Sequence, residues 1–171
     1  MNLPKRDSGP NALRRGRVSL PHANYFVTIC LYPRRAVLLA DTATTLLEEA
    51  RLLATDHSWR LRCMTVMPDH VHLFFTLGER LTLSQTIARL KSKTQTLVRS
   101  EGTDWQENYY DHLVQPDDSI ESIIRYIYLN PFQAELIQAD QNWPYYQCGA
   151  EDWAWFQGLT DRGQPYPEWL Q

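Results

Sequence analysis

Residues 61–76 read LRCMTVMPDHVHLFFT, and this stretch decides the fold. Two apolar runs of strand length, 61–67 and 71–76, flank Pro68 and Asp69. Proline followed by aspartate is typical of a tight turn. The stretch therefore predicts an antiparallel hairpin that turns at residues 68–69.

Two histidines lie at the start of the second predicted strand. His70 and His72 are two residues apart, so both imidazoles point to the same face of the sheet, whereas Val71 and Leu73 point to the other. Two adjacent imidazoles can bind one divalent metal ion. A pair of hydrogen-bonded core histidines is the structural alternative at this point.

The sequence around the hairpin alternates between strand and helix patterns. Residues 25–31 (YFVTICL) predict a strand, and a helix with apolar residues at helical spacing follows from Asp41 or Thr42. A capping box, Thr82 with Gln85, opens a helix over 82–100, and 109–114 (YYDHLV) predict a fourth strand. The order β-α-β-β-α-β predicts an α/β (α+β) protein with a ferredoxin-like antiparallel sheet.

One additional helix follows this unit. It covers residues 119–130 and is expected to stop at Pro131, because proline cannot continue the backbone hydrogen bonds. Tyr126 and Asn130 are one turn apart and flank its isoleucine stripe. Alone, an amphipathic tyrosine and a helix-ending asparagine predict no function.

Together, the histidine pair and the additional helix suggest a chemistry. A metal ion held by His70, His72 and the side-chain oxygen of Asn130 keeps open positions, in which a phosphate oxygen can be polarised. Tyr126 then lies close to the phosphorus as a nucleophile. A phenol with a pKa of about 10 needs such assistance. A covalent phosphotyrosine would preserve the energy of the cut bond for rejoining.

These motifs resemble the HUH superfamily of single-strand DNA nucleases, and more specifically the REP-associated tyrosine transposases among the single-tyrosine transposases. The similar stretches lie within about residues 13–147: 25–29 (YFVTI), 66–73 (VMPDHVHL), 105–106 (WQ), 110–112 (YDH), 126–131 (YIYLNP) and 143–146 (WPYY). The resemblance implies a metal-dependent endonuclease and strand transferase that acts on hairpin-forming single-stranded DNA.

The resemblance also implies roles for single residues. His70, His72 and Asn130 would hold Mg²⁺ or Mn²⁺, and Tyr126 would form a 5′-phosphotyrosine link. Tyr128 is the nearest rival nucleophile, but it points about 200° around the helix from Tyr126. A monomer with Tyr126 acting in cis is expected, and a dimer that exchanges the tyrosine helix is the alternative.

The 171 residues suit one main domain, at 21–147, between a basic arm at 1–20 and an aromatic, acidic tail at 148–171 that is expected to fold back.

A net charge of −3 excludes a uniformly basic surface, so DNA contacts are expected from two local basic zones. They comprise Arg14, Arg15 and Arg17 in the arm, and Arg89, Lys91 and Lys93 on a helix. The chain has no apolar run of membrane-spanning length and no secretory signal, which predicts a cytoplasmic protein.

Two other readings stay open. One is a recognition module that binds hairpin DNA without cutting it. The other is a metal-dependent hydrolase that does not use Tyr126. The chain shows no GxSxG elbow, phosphate-binding loop or dinucleotide fingerprint, so the enzyme classes that depend on these motifs lack support.

Overall fold

The computed structural model describes residues 19–34, 38–154, 156 and 159–171. Its elements, in chain order, are β1 (Asn24–Tyr32), α1 (Ala40–Thr55), β2 (Trp59–Met67), β3 (His70–Leu77), α2 (Leu83–Ser100), β4 (Asp104–Trp105), β5 (Tyr110–Leu113), α3 (Ile120–Gln133), β6 (Tyr146–Cys148), α4 (Ala150–Trp153) and a 3₁₀ turn (Pro167–Leu170). None of the described helices is both long and apolar enough to cross a membrane.

The six strands form one antiparallel sheet in the order β4-β1-β3-β2-β6, and β5 also pairs with β1. The predicted hairpin is β2–β3, and the predicted ferredoxin-like arrangement is confirmed. The predicted fourth strand, 109–114, is present as β5, and β4 is an additional short strand that precedes it. Between them the chain leaves the ladder, and the carbonyls of Gln106 and Asn108 accept hydrogen bonds from the Lys91 ammonium.

One face of the sheet is closed by α1 and α2. Alternate residues of β1, namely Tyr25, Val27, Ile29 and Leu31, are all buried there and join a large apolar core. The capping box predicted for α2 is present, with Thr82 and Gln85 exchanging hydrogen bonds. The two helices and this core thus cover one whole face of the sheet.

The opposite face carries α3, which packs against a second apolar cluster with Phe74, Ile124 and Ile127 at its centre. The prediction that this helix stops at Pro131 is wrong, because α3 continues to Gln133 with Pro131 inside it. Proline removes the hydrogen bond to the Ile127 carbonyl, but the buried side chains of Pro131 and Phe132 hold the last turn against the cluster.

The described part of the tail folds back on this second face, as expected. Trp153, Phe156 and Trp169 pack into the same cluster as α3. A β-bulge in β2 turns Arg62 inward, where its guanidinium pairs with the buried carboxylate of Asp152 on α4. The tail contacts fall on the side of α3 that carries Tyr128.

A candidate metal and tyrosine site

The two histidines project from β3 toward α3. Their Cα partners in the ladder are Cys30 and Thr28 on β1, so all four residues share this face of the sheet. The Nε2 atoms of His70 and His72 lie 3.0 Å apart, and the two residues are only 8% and 4% exposed. Both rings therefore direct the same nitrogen toward one point.

Hydrogen bonds from the outer ring nitrogens fix this orientation. His72 Nδ1 lies 2.9 Å from the Thr28 hydroxyl, and His70 Nδ1 lies 2.5 Å from a carboxylate oxygen of Asp69. Burial, followed by the charge of the neighbouring His70, lowers the pKa of His72 to about 3. Burial also lowers the pKa of His70. Both rings are consequently neutral near pH 7, the state in which imidazole binds metals.

Helix α3 adds the other two candidates. It begins after Ser119, whose hydroxyl accepts a hydrogen bond from the Ser122 amide. The Tyr126 hydroxyl lies 3.4 Å from His72 Nε2, and its ring meets those of Phe26 and His72 edge-on. One turn later, the Asn130 side chain lies beside the His70 ring. The structure thus brings Tyr126, Asn130 and both histidines together, with Tyr126 46% exposed.

This group fits a divalent ion. Two nitrogen ligands in adjacent octahedral positions, each about 2.1 Å from a metal, are about 3.0 Å apart, which matches the spacing of the two Nε2 atoms. No cluster of three or more histidine, cysteine or carboxylate side chains suited to a metal occurs in the described ranges. An ion here would therefore use the Asn130 amide oxygen and leave positions for substrate or water.

Tyr128 has different surroundings. It is 6% exposed, and its hydroxyl donates to the Gly163 carbonyl at 2.5 Å. Its ring packs against Phe132, Tyr146, Trp153 and Phe156. Burial raises its pKa to about 12, so it is a poor candidate nucleophile.

The predicted DNA-binding residues differ in how exposed they are and in whether other groups already engage their charges. Lys91 is buried and its ammonium donates to two main-chain carbonyls, which leaves it poorly placed to contact a phosphate. Arg89 is exposed but pairs with Asp56 at 2.6 Å, and Lys93 is exposed. Both lie on α2, across the sheet from the histidines. Arg14, Arg15 and Arg17 lie outside the described residues.

Sequence analysis missed three neighbours of the site. Asp69 was interpreted only as a turn residue, and Thr28 only as part of a strand, yet both orient a histidine. The register of β1 against β3 was the missing information for Thr28. Arg34, which contacts Asp69 and the edge of His70, follows β1 in a segment without a recognisable pattern.

A family model for IS200-like transposases matches residues 19–130. The chain belongs to this family. A Haemophilus influenzae protein assigned to the REP-associated tyrosine transposases is 26% identical over 136 residues, covering 71% of this chain and 77% of the relative. The REP-associated tyrosine transposase of Escherichia coli K12 is 23% identical over 129 residues, covering 75% of this chain and 78% of the relative.

The fold has a solved counterpart. A structure of a REP-associated tyrosine transposase bound to a REP hairpin matches with a TM-score of 0.65 at 22% identity, over 76% of this chain and 79% of that one. The resemblance noted in the sequence motifs is confirmed by these relatives.

Proposed function

We propose that this IS200-like transposase is a metal-dependent endonuclease and strand transferase for single-stranded, hairpin-forming DNA. The observation that carries the proposal is the convergence of the Tyr126 hydroxyl on the histidine pair, 3.4 Å from His72 Nε2. A tyrosine beside two neutral, converging imidazoles is an arrangement suited to attack on a metal-bound phosphodiester.

His70, His72 and Asn130 would hold Mg²⁺ or Mn²⁺, which supplies Lewis-acid polarisation of a phosphate oxygen when bound. Thr28 and Asp69 keep the outer ring nitrogens engaged, so the Nε2 lone pairs stay directed inward. Tyr126 attacks the phosphorus, an O–P bond forms, and the P–O3′ bond breaks. The tyrosine keeps the 5′-phosphate, and the phenol proton is balanced by protonation of the departing 3′ oxygen.

The tyrosine acts in cis in this proposal, because one chain supplies Tyr126, both histidines and Asn130. A monomer is therefore sufficient for one cleavage event. The substrate assignment rests on the relative whose structure contains a REP hairpin. Arg14, Arg15, Arg17, Arg89 and Lys93 stay candidates for phosphate contacts, since neutralised phosphates supply most non-specific affinity.

The test is a covalent-adduct assay with a labelled single-stranded hairpin from beside the gene. Wild type, Tyr126→Phe and the control Tyr128→Phe are incubated with Mn²⁺ or chelator and separated on denaturing gels. We expect a metal-dependent adduct for wild type and Tyr128→Phe, and none for Tyr126→Phe.

Other outcomes contradict the proposal in different ways. An adduct that survives Tyr126→Phe would assign the nucleophile elsewhere. Tight hairpin binding without any adduct would favour a recognition module. Metal-dependent cleavage that never yields an adduct, and persists in Tyr126→Phe, would favour a hydrolase.

A further inference from the structure

Arg34 lies at the rim of the candidate site, just beyond the end of β1. Its Nε lies 2.5 Å from Asp69 Oδ2, and its Nη2 lies 3.4 Å from His70 Nδ1. The side chain is nevertheless 60% exposed. Arg34 is therefore anchored to the turn that orients His70 while part of its guanidinium remains open to solvent.

The hydrogen-bonding capacity of the guanidinium is only partly used. One carboxylate oxygen of Asp69 accepts from His70 Nδ1 and the other accepts from Arg34 Nε. The contact between Arg34 Nη2 and His70 Nδ1 then joins two donors, so it consumes no acceptor. A guanidinium has five N–H groups, and among the described residues only Asp69 takes one of them as an ion-pair partner. No described residue therefore occupies the Nη groups as an acceptor, and they can donate to an external one.

The charge of Arg34 acts on the reacting groups. The hydrogen bond with Asp69 raises the pKa of the guanidinium, and Tyr126 is close enough to contribute to the same shift. The Asp69 carboxylate is paired with the Arg34 guanidinium, and its other oxygen accepts from His70. A permanent, anchored positive charge thus lies beside the outer edge of His70 and within electrostatic reach of Tyr126.

Resting on the proposed function, we propose that Arg34 is a further catalytic residue, which donates from its Nη groups to a non-bridging oxygen of the scissile phosphate. Negative charge on those oxygens is stabilised as the Tyr126 O–P bond forms and the P–O3′ bond breaks. Arg34 stays protonated throughout and exchanges no proton. Planar, two-pronged recognition of phosphate is the chemistry to which arginine is best suited.

The test compares Arg34→Ala with Arg60→Ala. Arg60 is a matched control, because it is 63% exposed and pairs with a carboxylate, Glu151, at 3.2 Å. It lies seven residues before Met67, the ladder partner of His70, and hence about 23 Å along β2 from the site. Thermal unfolding of both variants checks that the fold is kept.

Two measurements report phosphate contact directly. Single-turnover cleavage at saturating DNA should fall about 100- to 1,000-fold in Arg34→Ala, the usual loss when one donor to a developing oxyanion is removed. In chelator, the slope of log affinity against log salt, for a strand that spans the cut site, should weaken by about 0.7. Arg60→Ala should leave cleavage unchanged, and Arg34→Lys should restore the salt slope but only part of the rate.

Mn²⁺ affinity distinguishes phosphate contact from an indirect role. We expect it to be unchanged in Arg34→Ala, since Asp69 still orients His70. A fall in Mn²⁺ affinity that accounts for the whole loss of rate would overturn the proposal and make Arg34 a positioning residue. An unchanged salt slope would also overturn it. Because the slope is measured without metal or cleavage, it stands even if wild type forms no adduct and the proposed function fails.

Discussion

The two faces of the sheet differ in how completely they are covered. On the face closed by α1 and α2, Tyr25, Val27, Ile29 and Leu31 of β1 are all buried. On the opposite face, the intervening residues Phe26, Thr28 and Cys30 are only partly buried, because α3 covers that face incompletely. One strand thus contributes buried side chains to a core on one face and side chains to the candidate site on the other.

The two faces therefore have different roles: side chains on the closed face stabilise the fold, and side chains on the open face form the candidate site. The closed face holds the backbone of β1 and β3 in a fixed register, and the open face carries the side chains of the candidate site. A rigid strand fixes the imidazoles more accurately than a loop would. Substitutions on the two faces should consequently have separable effects, and the following predictions test that separation.

The largest effect is expected for His72→Ala on the open face. Removing one of two converging nitrogens should lower cleavage at least about 1,000-fold, equivalent to about 4 kcal/mol of transition-state stabilisation. Mn²⁺ binding, measured by calorimetry, should fall in parallel. His22→Ala is the control, since His22 is exposed and pairs with Glu79 away from the site. Near wild-type Mn²⁺ affinity in His72→Ala would contradict the metal site.

Phe75→Ala and Phe26→Ala compare the faces directly. Phe75 is fully buried against Tyr25 and Trp59, so its truncation should cost about 3–5 kcal/mol of unfolding free energy, measured by urea denaturation. Phe26 is half-buried and stacks on His72 at 5.6 Å, so its truncation should cost less stability but slow cleavage. Equal losses of stability would contradict the difference in burial between these two positions.

The sequence was most informative where a pattern depends on local geometry. The alternation of strands and helices predicted the ferredoxin-like sheet, and the spacing of His70 and His72 placed both rings on one face. The i, i+4 spacing likewise put Tyr126 and Asn130 on one side of α3. These relations follow from backbone periodicity, which a single sequence contains.

Properties that depend on long-range neighbours were less accessible. Lys91 looked like a surface cation, but the carbonyls of a distant loop surround its ammonium. Pro131 looked like a helix end, but burial of Phe132 outweighs one missing hydrogen bond. Arg34 was missed because only the folded hairpin brings Asp69 to it.

A smaller effect is expected for Thr28→Val, which tests whether the Thr28 hydroxyl on β1 orients His72. The change removes the hydroxyl that engages His72 Nδ1 with little change in volume. Loss of such an orienting partner typically lowers metal affinity or activity about 10- to 100-fold. Thr76→Val is the control, because that hydroxyl donates to Asn24 instead. Equal Mn²⁺ affinity in the two variants would show that Thr28 has no orienting role.

The smallest effect is expected for Tyr128→Phe, which probes the boundary between site and packing on α3. The change removes the hydroxyl that donates to the Gly163 carbonyl and should cost about 1 kcal/mol of unfolding free energy. Its ring stays packed among the tail aromatics, so the yield of covalent adduct should be unchanged. Tyr126→Phe should show the reverse pattern, since an exposed hydroxyl contributes little to stability. A loss of adduct in Tyr128→Phe without loss of stability would mean that the packed side of α3 takes part in the chemistry.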